Sequence, residues 1–546
     1  MPGYRFKCPY CFKEMMDTEV HFRSKRVSED SDNPLPPQFY GDYEAFMLNY
    51  TGSNKAQIQS KYEEWEFFAK GKDEKYEQFW KNFGDVTTER KSDSVKKIDG
   101  NFEEYERKVI DPYDKANEKY LSFGDNLFKM DDHNMVRAIE LKSGELCDKR
   151  VCPHCHNPLP TNYGLYDTKF ISMVGVSRAG KTVFLSQLIK HIGDYGAKIG
   201  LTIMSANDTA KQFIELHPVR KQQNLPGGTP MGHFEQPLCF QLIQREGAKL
   251  KKSMIVLYDV AGEALTNKES VGKFAPFISQ SDGVIYVIDP EQFENIARVY
   301  EVEDRVKPED VLGEIHGYLR NTALERVKEL RKNNPSLISE EEQRMVNDEP
   351  RQIPIAVVLS KVDERNVIDA MRAADPNCEE AVRELSGIIG ENSTRRSVFN
   401  AGAYNKLGQA LNVFTMKNAD TLRSQLYATF TTFAFFAVSS LGCSCEESVV
   451  NGLKVYGPID EPSPKRIEEP FYWILYKFGM IGASDEVYSP ADTFISCPNC
   501  TSLETEEYSA EEDPKFKGMI NRLKNRAEYN EKKNHRLRCI ICKHTW

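Results

Sequence analysis

Eight of the chain's 13 cysteines stand in four CxxC pairs, Cys8/Cys11, Cys152/Cys155, Cys497/Cys500 and Cys539/Cys542. Two such pairs brought together supply four thiolates, the donor set of a tetrahedral Zn²⁺ centre, with iron as the minor alternative. A second kind of chemistry is carried by GVSRAGKT, Gly175 to Thr182, which fits G-x-x-x-x-G-K-[ST] at every specified position. Glycines at these places let backbone N–H groups wrap phosphates, and the helix that follows adds the partial positive charge of its N-terminus. The expected phosphate-binding residues are Gly175, Ser177, Arg178, Ala179, Gly180, Lys181, Thr182 and Val183. Lys181 would reach the β and γ phosphates and the Thr182 hydroxyl would hold Mg²⁺.

Further along, IVLYDVAGE ends an apolar run at Asp259. Val260 stands where ATPases of the AAA and helicase kind place a Glu, and what remains is D-x-x-G, with Asp259 supporting Mg²⁺ and the Gly262 N–H meeting a γ phosphate. Thr229, in PGGTP, lies where a switch GTPase carries the Thr that closes on Mg²⁺. IPIAVVLSKVD then places Lys361 and Asp363 after a strand, in the place of [NT]-K-x-D, with Ser360 replacing the usual Asn or Thr. There Asp363 would accept two hydrogen bonds from guanine and Lys361 would brace the loop. Ser439, Ser440 and Leu441, in VSSLG, match the loop whose backbone meets the guanine O6.

On these five elements, in this order, the chain resembles a translation-factor-like (TRAFAC) P-loop GTPase, and more narrowly the bacterial double-GTPase group that joins such a domain to zinc-ribbon modules. The resemblance covers about residues 169 to 483 and the ribbon pairs. It implies GTP or GDP with Mg²⁺ as ligands, catalytic roles for Lys181, Thr229 and Glu263, and Mg²⁺ held by Thr182, Thr229 and Asp259. It further implies protein partners and a part in a multi-gene bacterial conflict or phage-defence system. Glu263 stands where Ras-like enzymes place a water-orienting Gln; its charge beside a triphosphate points to slow intrinsic turnover. Arg178 is a candidate arginine finger in cis, although it more readily faces solvent or another subunit.

The elements that must position these groups follow from hydrophobic patterning. KFISMVG, LCFQLIQ, SMIVLYD, GVIYVID, IPIAVVLS and TFAFFAVSS read as buried strands, and KTVFLSQLIKHI as a helix with one apolar face. The short turn REGAKLKK makes LCFQLIQ and SMIVLYD an antiparallel hairpin in an otherwise parallel α/β sheet, with helices on both faces. Tyr76, Phe79, Trp80 and Phe83 form a helical stripe that packs on its own domain in preference to a partner. The expected organisation is an N-terminal zinc ribbon over 1–167 with a helical insert at about 35–140, a GTPase domain over 168–485, and a C-terminal zinc ribbon over 486–546. Cys147 is an alternative ligand beside the second pair.

Composition narrows the classes. The 82 acidic and 72 basic residues give a formal net charge of −10, which disfavours a broad nucleic-acid footprint and leaves only a local contact through the basic C-terminal ribbon. No stretch approaches the roughly 20 apolar residues of a membrane span, and the opening lacks the apolar core of a signal peptide, so a cytoplasmic location is expected. The leading expectation is a GTP-binding, slowly hydrolysing switch. The rivals are a nucleotide-gated scaffold with negligible turnover, a P-loop ATPase, and a nucleic-acid-binding ribbon protein.

Overall fold

The computed structural model describes residues 3–24, 73–82, 108–142, 144–176, 179–226, 236–246, 249–260, 276–302, 305–333, 335, 338–347, 349–376, 378, 398–450, 453–490, 505–532, 535, 537–539, 543 and 545. Among them no helix is long and apolar enough to cross a membrane.

The N-terminal module is assembled around two equivalent turns. β1 (Arg5–Lys7) and β2 (Glu14–Met16) form a hairpin about the first cysteine pair. β3 (His21–Arg23), α1 (Glu74–Lys81), β4 (Val109–Ile110), β5 (Phe128–Met130), β6 (Val136–Glu140), β7 (Leu146–Cys147) and β8 (Lys149–Val151) follow. β3 lies between β4 and β8, while β5, β6 and β7 make a second small sheet. Asp73 caps α1 by accepting the Tyr76 N–H. The helix lays its stripe on the first turn: Tyr10 meets the rings of Phe79 and Trp80, and the Trp80 indole N–H donates to Asn157 Oδ1 at 3.0 Å. Phe83 lies outside the described residues.

The insert expected to be helical departs from that reading over its described part from 108 to 140, which consists of strands and short 3-10 turns. Asp111, Asp114 and Asp131 accept backbone N–H groups two residues ahead, those of Tyr113, Ala116 and His133. Such bonds favour turns over helix.

The central sheet comprises β9 (Thr168–Gly175), β10 (Leu201–Ser205), β11 (Leu238–Glu246), β12 (Lys249–Asp259), β13 (Gly283–Ile288), β14 (Ile355–Leu359) and, after β15 (Val398–Phe399), β16 (Phe433–Ala437). Its order is β10-β11-β12-β9-β13-β14-β16. Only β11 runs against the rest, pairing antiparallel with β10 and β12. The expected hairpin is therefore present, and β10 is an added edge strand that its five residues did not announce. β9 feeds α2 (Lys181–Lys198), and α3 (Thr209–Leu216), α4 (Glu294–Val299) and α5 (Pro308–Asn333) follow in the connections. β17 (Cys445–Val450) and β18 (Leu453–Pro458) form an outlying hairpin, and the chain then enters a buried apolar helix, Glu469–Lys477.

Helices cover both faces. Gly283 abuts Phe478 and Ile474 at the closing helix, whereas Tyr286, three residues on and so on the opposite face, donates its hydroxyl to Pro308 O at 2.7 Å, at the start of α5. The closing helix also touches α2, through the Tyr472 hydroxyl on Tyr195 O. The N-terminal module takes the other face: Phe12 packs against Phe170 of β9 and Tyr258 of β12.

Trp80 is 2% exposed within the module, so Trp80→Ala removes a large buried ring. Urea unfolding should show a loss of about 3 to 5 kcal/mol; a loss below about 1 kcal/mol would mean that the stripe faces solvent or a partner.

Candidate functional site

Because β12, β9, β13, β14 and β16 are parallel neighbours, their carboxyl ends share one edge, the place where ligands bind in open α/β sheets. At that edge Gly175 closes β9. A Cβ there would stand 2.7 Å from Val287 O, so only glycine lets the two strands approach. Gly180, at φ +74°, turns the chain in the left-handed region into α2. Lys181 and Thr182 then lie on the first turn of α2, next to Asp259 at the end of β12. The Lys181 ammonium pairs with Asp259 Oδ1, and Thr182 Oγ1 lies 3.5 Å from Oδ2. All three side chains are buried. A cation, a hydroxyl and a carboxylate converging on a helix N-terminus suit a phosphate and its divalent ion: Lys181 would meet the phosphate, and Thr182 and Asp259 would hold Mg²⁺.

The expected base-reading loop closes β14. Ser360 is 1% exposed, and both its N–H (2.8 Å) and its hydroxyl (3.0 Å) donate to Ile288 O. A short hydroxyl is thus long enough to tie this loop to β13, and the substitution of Ser for Asn keeps the bracing role. Lys361 is left-handed, at φ +52°, and its ammonium pairs with Asp289 at 2.6 Å. Asp289 is buried, and its other oxygen caps the next turn through the Glu291 N–H. Sequence reasoning missed this residue; its signal was an acid closing the apolar run GVIYVID. Asp363 is exposed. Burial, and then the charges of Asp363 and Glu291, push Glu364 up, with Lys361 opposing.

The neighbouring loop leaves β16. Ser439 exchanges both backbone bonds with Lys465, its hydroxyl accepts the Gly442 N–H at 2.9 Å, and Leu441 O accepts the Ser463 N–H at 2.7 Å. Ser440 Oγ is buried without a hydrogen-bond partner. The Val362 N–H reaches Val438 O at 3.3 Å, so the two loops are joined. Gly442 has φ +64°, and a Cβ on it would lie 1.9 Å from Ser463 O.

The second centre brings Cys8, Cys11, Cys152 and Cys155 together, with all four sulfurs within 4.8 Å of one another. Cys8–Cys155 and Cys11–Cys152 are each separated by 3.7 Å, which matches the edge of about 3.8 Å implied by Zn–S bonds of about 2.3 Å in a tetrahedron. The Tyr10 and His154 N–H groups donate to the sulfurs of Cys8 and Cys152 at 3.4 Å. Burial pushes the thiols of Cys8 and Cys155 well up, so a cation is what lets four thiolates coexist. Cys147 is buried in β7 outside this cluster, which removes it as an alternative ligand.

Ser177, Arg178, Thr229, Gly262, Glu263, Cys497, Cys500 and Cys542 lie outside the described residues. Cys539 ends β20 (Leu537–Cys539), which pairs antiparallel with β19 (Thr505–Glu507).

Residues 169–411 match the family model described as Double-GTPase 2. This stretch is a double-GTPase domain. The match spans β9 through most of the helix Ala401–Asn418, and so contains the Lys181–Asp259 pair and the SKVD loop. A putative ESX-1 scaffolding and assembly protein, SaeC of Mycolicibacterium smegmatis, is 25% identical over 154 residues, 27% of this chain and 39% of that protein. The chain thus spans well under half the length of this relative. A structure of the Aquifex aeolicus protein Era bound to GDP and AlF4⁻ is 14% identical with a TM-score of 0.14, covering 38% of this chain and 48% of that one.

Replacing Gly442 by Ala forces a Cβ into Ser463 O in a left-handed residue. The midpoint of thermal unfolding should fall, and guanine-nucleotide affinity should fall with it, as read by calorimetry and fluorescence titration; wild-type values for both would show that the loop yields freely.

Proposed function

We propose that this protein is a guanine-nucleotide switch that hydrolyses GTP slowly. The observation that supports this best is the convergence of the Lys181, Thr182 and Asp259 cluster, the Ser360–Asp363 loop and the Ser439–Gly442 loop on one edge of a parallel sheet. In this reading the backbone from Gly175 to Val183, with Lys181, cradles the phosphates, and Asp363 accepts two N–H donors of guanine. Adenine would leave that carboxylate unpaired, which costs about 1 to 3 kcal/mol. Thr182, Thr229 and Asp259 hold Mg²⁺. Transferred charge is stabilised by Lys181 and backbone N–H groups, with Glu263, or a residue from a partner, placing the water.

The zinc ribbons, over 1–167 and 486–546, would flank a GTPase domain over 168–485 in a cytoplasmic protein, and the C-terminal one would use Cys497, Cys500, Cys539 and Cys542 for a second Zn²⁺. Their companions are proteins in a multi-component bacterial assembly, of the conflict or phage-defence kind. A scaffold gated by nucleotide is the second reading, favoured by the scaffolding description of the Mycolicibacterium relative; phosphate release of no more than one per chain would select it.

Competition of GTP, ATP and XTP against a fluorescent guanine nucleotide tests the reading. GTP alone should compete with the wild type. Asp363→Asn should weaken GTP by roughly 5- to 150-fold, the counterpart of about 1 to 3 kcal/mol, while XTP gains. Equal competition by ATP, with no change in the variant, would sink the guanine reading and leave a P-loop ATPase.

A further inference from the structure

The four-cysteine module is bonded to the strand that carries Asp259. Tyr258, one residue earlier on β12, is fully buried, points to the face opposite Asp259 and donates its hydroxyl to Pro9 O at 2.7 Å. Pro9 lies between Cys8 and Cys11. Phe12, which closes the same turn, has its ring 5.6 Å from that of Tyr258, 5.7 Å from Phe170 and 5.2 Å from Phe277. Phe277 is itself 5.2 Å from Tyr258, and its carbonyl accepts the Ser172 hydroxyl of β9 at 2.8 Å. Lys7 adds a bond to Gln280 Oε1 at 3.3 Å. The turn therefore holds the end of β12 before 261–275 and the chain at Phe277 after it.

We propose that the metal-bound turn Cys8–Phe12 is a positioning element of the nucleotide site, setting where Asp259 sits for Mg²⁺ through Pro9 and Phe12 on Tyr258. The inference rests on the nucleotide reading above. Its physical basis is the shape of the turn. Phe12 is a bulky residue at φ +56°, a conformation that costs energy and persists only where its surroundings impose it. Its N–H returns to Cys8 O at 3.0 Å, inside the loop whose four sulfurs would close around one ion. Without the ion the turn has no reason to keep that form. Pro9 O and the Phe12 ring then leave Tyr258 with a buried hydroxyl and no acceptor. Asp259 is the next residue, so rotation of Tyr258 is felt at the carboxylate that would face Mg²⁺. Outer partners of this kind shift metal affinity by about 10- to 100-fold when removed.

The test uses the zinc-loaded full chain with Tyr258→Phe, which removes one oxygen, and Phe12→Ala, which removes the ring. Ile139→Ala is the control, because Ile139 is buried in β6, in the second small sheet of the same module and outside the turn that meets Tyr258. Three readouts are taken: zinc content, the Mg²⁺ concentration at half-maximal binding of fluorescent GDP, and hydrogen exchange over Val256–Val260. Both test variants should keep their zinc and raise the Mg²⁺ midpoint by roughly ten-fold. Nucleotide binding without added Mg²⁺ should be unchanged, and exchange at Val256–Val260 faster. The control should leave the midpoint alone. Wild-type midpoints and exchange in both zinc-loaded test variants would overturn the proposal. If the wild type binds no guanine nucleotide, the functional reading fails on its own; exchange at Val256–Val260 after zinc removal then decides the brace, faster exchange supporting it and unchanged exchange overturning it.

Discussion

Lys181 and Asp259 meet because β9 and β12 are parallel neighbours whose register sets Asp259 beside Met173, two residues before the phosphate-loop glycine. That pairing constrains the rest of the nucleotide edge. A buried ion pair adds little net stability, since desolvation of both charges offsets most of their attraction. Its presence at the edge where the parallel strands end is better explained by exchange: each charge would have a stronger partner in a phosphate or a divalent ion, and the pair keeps both groups compensated until that partner arrives. Gly175 makes the arrangement geometrically available, because any side chain there would separate β9 from β13.

The base loop and the segment leading toward Thr229 are not independent. The chain leaves the Ser439–Gly442 loop directly into the β17–β18 hairpin, and the carbonyls of Pro458 and Tyr456 accept the N–H groups of Gln222 and Leu225. Gly457 allows this approach, since a Cβ there would stand 3.0 Å from Gln223 O. The hairpin thus ties the loop beside the base site to the stem of the chain that carries Thr229.

Much of this was legible from local chemistry. The core strands announced themselves as apolar runs of the right length, and the phosphate loop needed only eight residues to be read. SKVD suggests a base-reading loop only through its place after GVIYVID, since its four residues alone describe a surface turn. Groups that act across strands were less visible. Asp289 reads as the last residue of a strand until Lys361 is folded over it, and Tyr258 reads as core until Pro9 is placed against its hydroxyl. β10 and β17–β18 escaped for a different reason: strands of five and six residues with exposed positions carry too weak an alternation to separate from loop. In the insert, the aspartates that turn the chain at 111, 114 and 131 outweighed the helical character of its neighbours.

The wide separation of Cys11 from Cys152 gives the metal centre a larger part than that of a small clip. Closing a loop of this length costs about 4 kcal/mol of chain entropy, and the module's own strands, mostly of two or three residues, pair too briefly to recover that. A structural Zn²⁺ in a four-thiolate site contributes about 10 to 16 kcal/mol of apparent binding energy at neutral pH, which exceeds the closure cost with a margin. The margin matters for the central sheet, because Phe12 of the module packs together with Phe277 over Phe170 and Tyr258. Assembly of the four cysteines and burial of those rings are therefore one event, and the apolar surface gained on the sheet side adds to the stability of the metal turn that covers it.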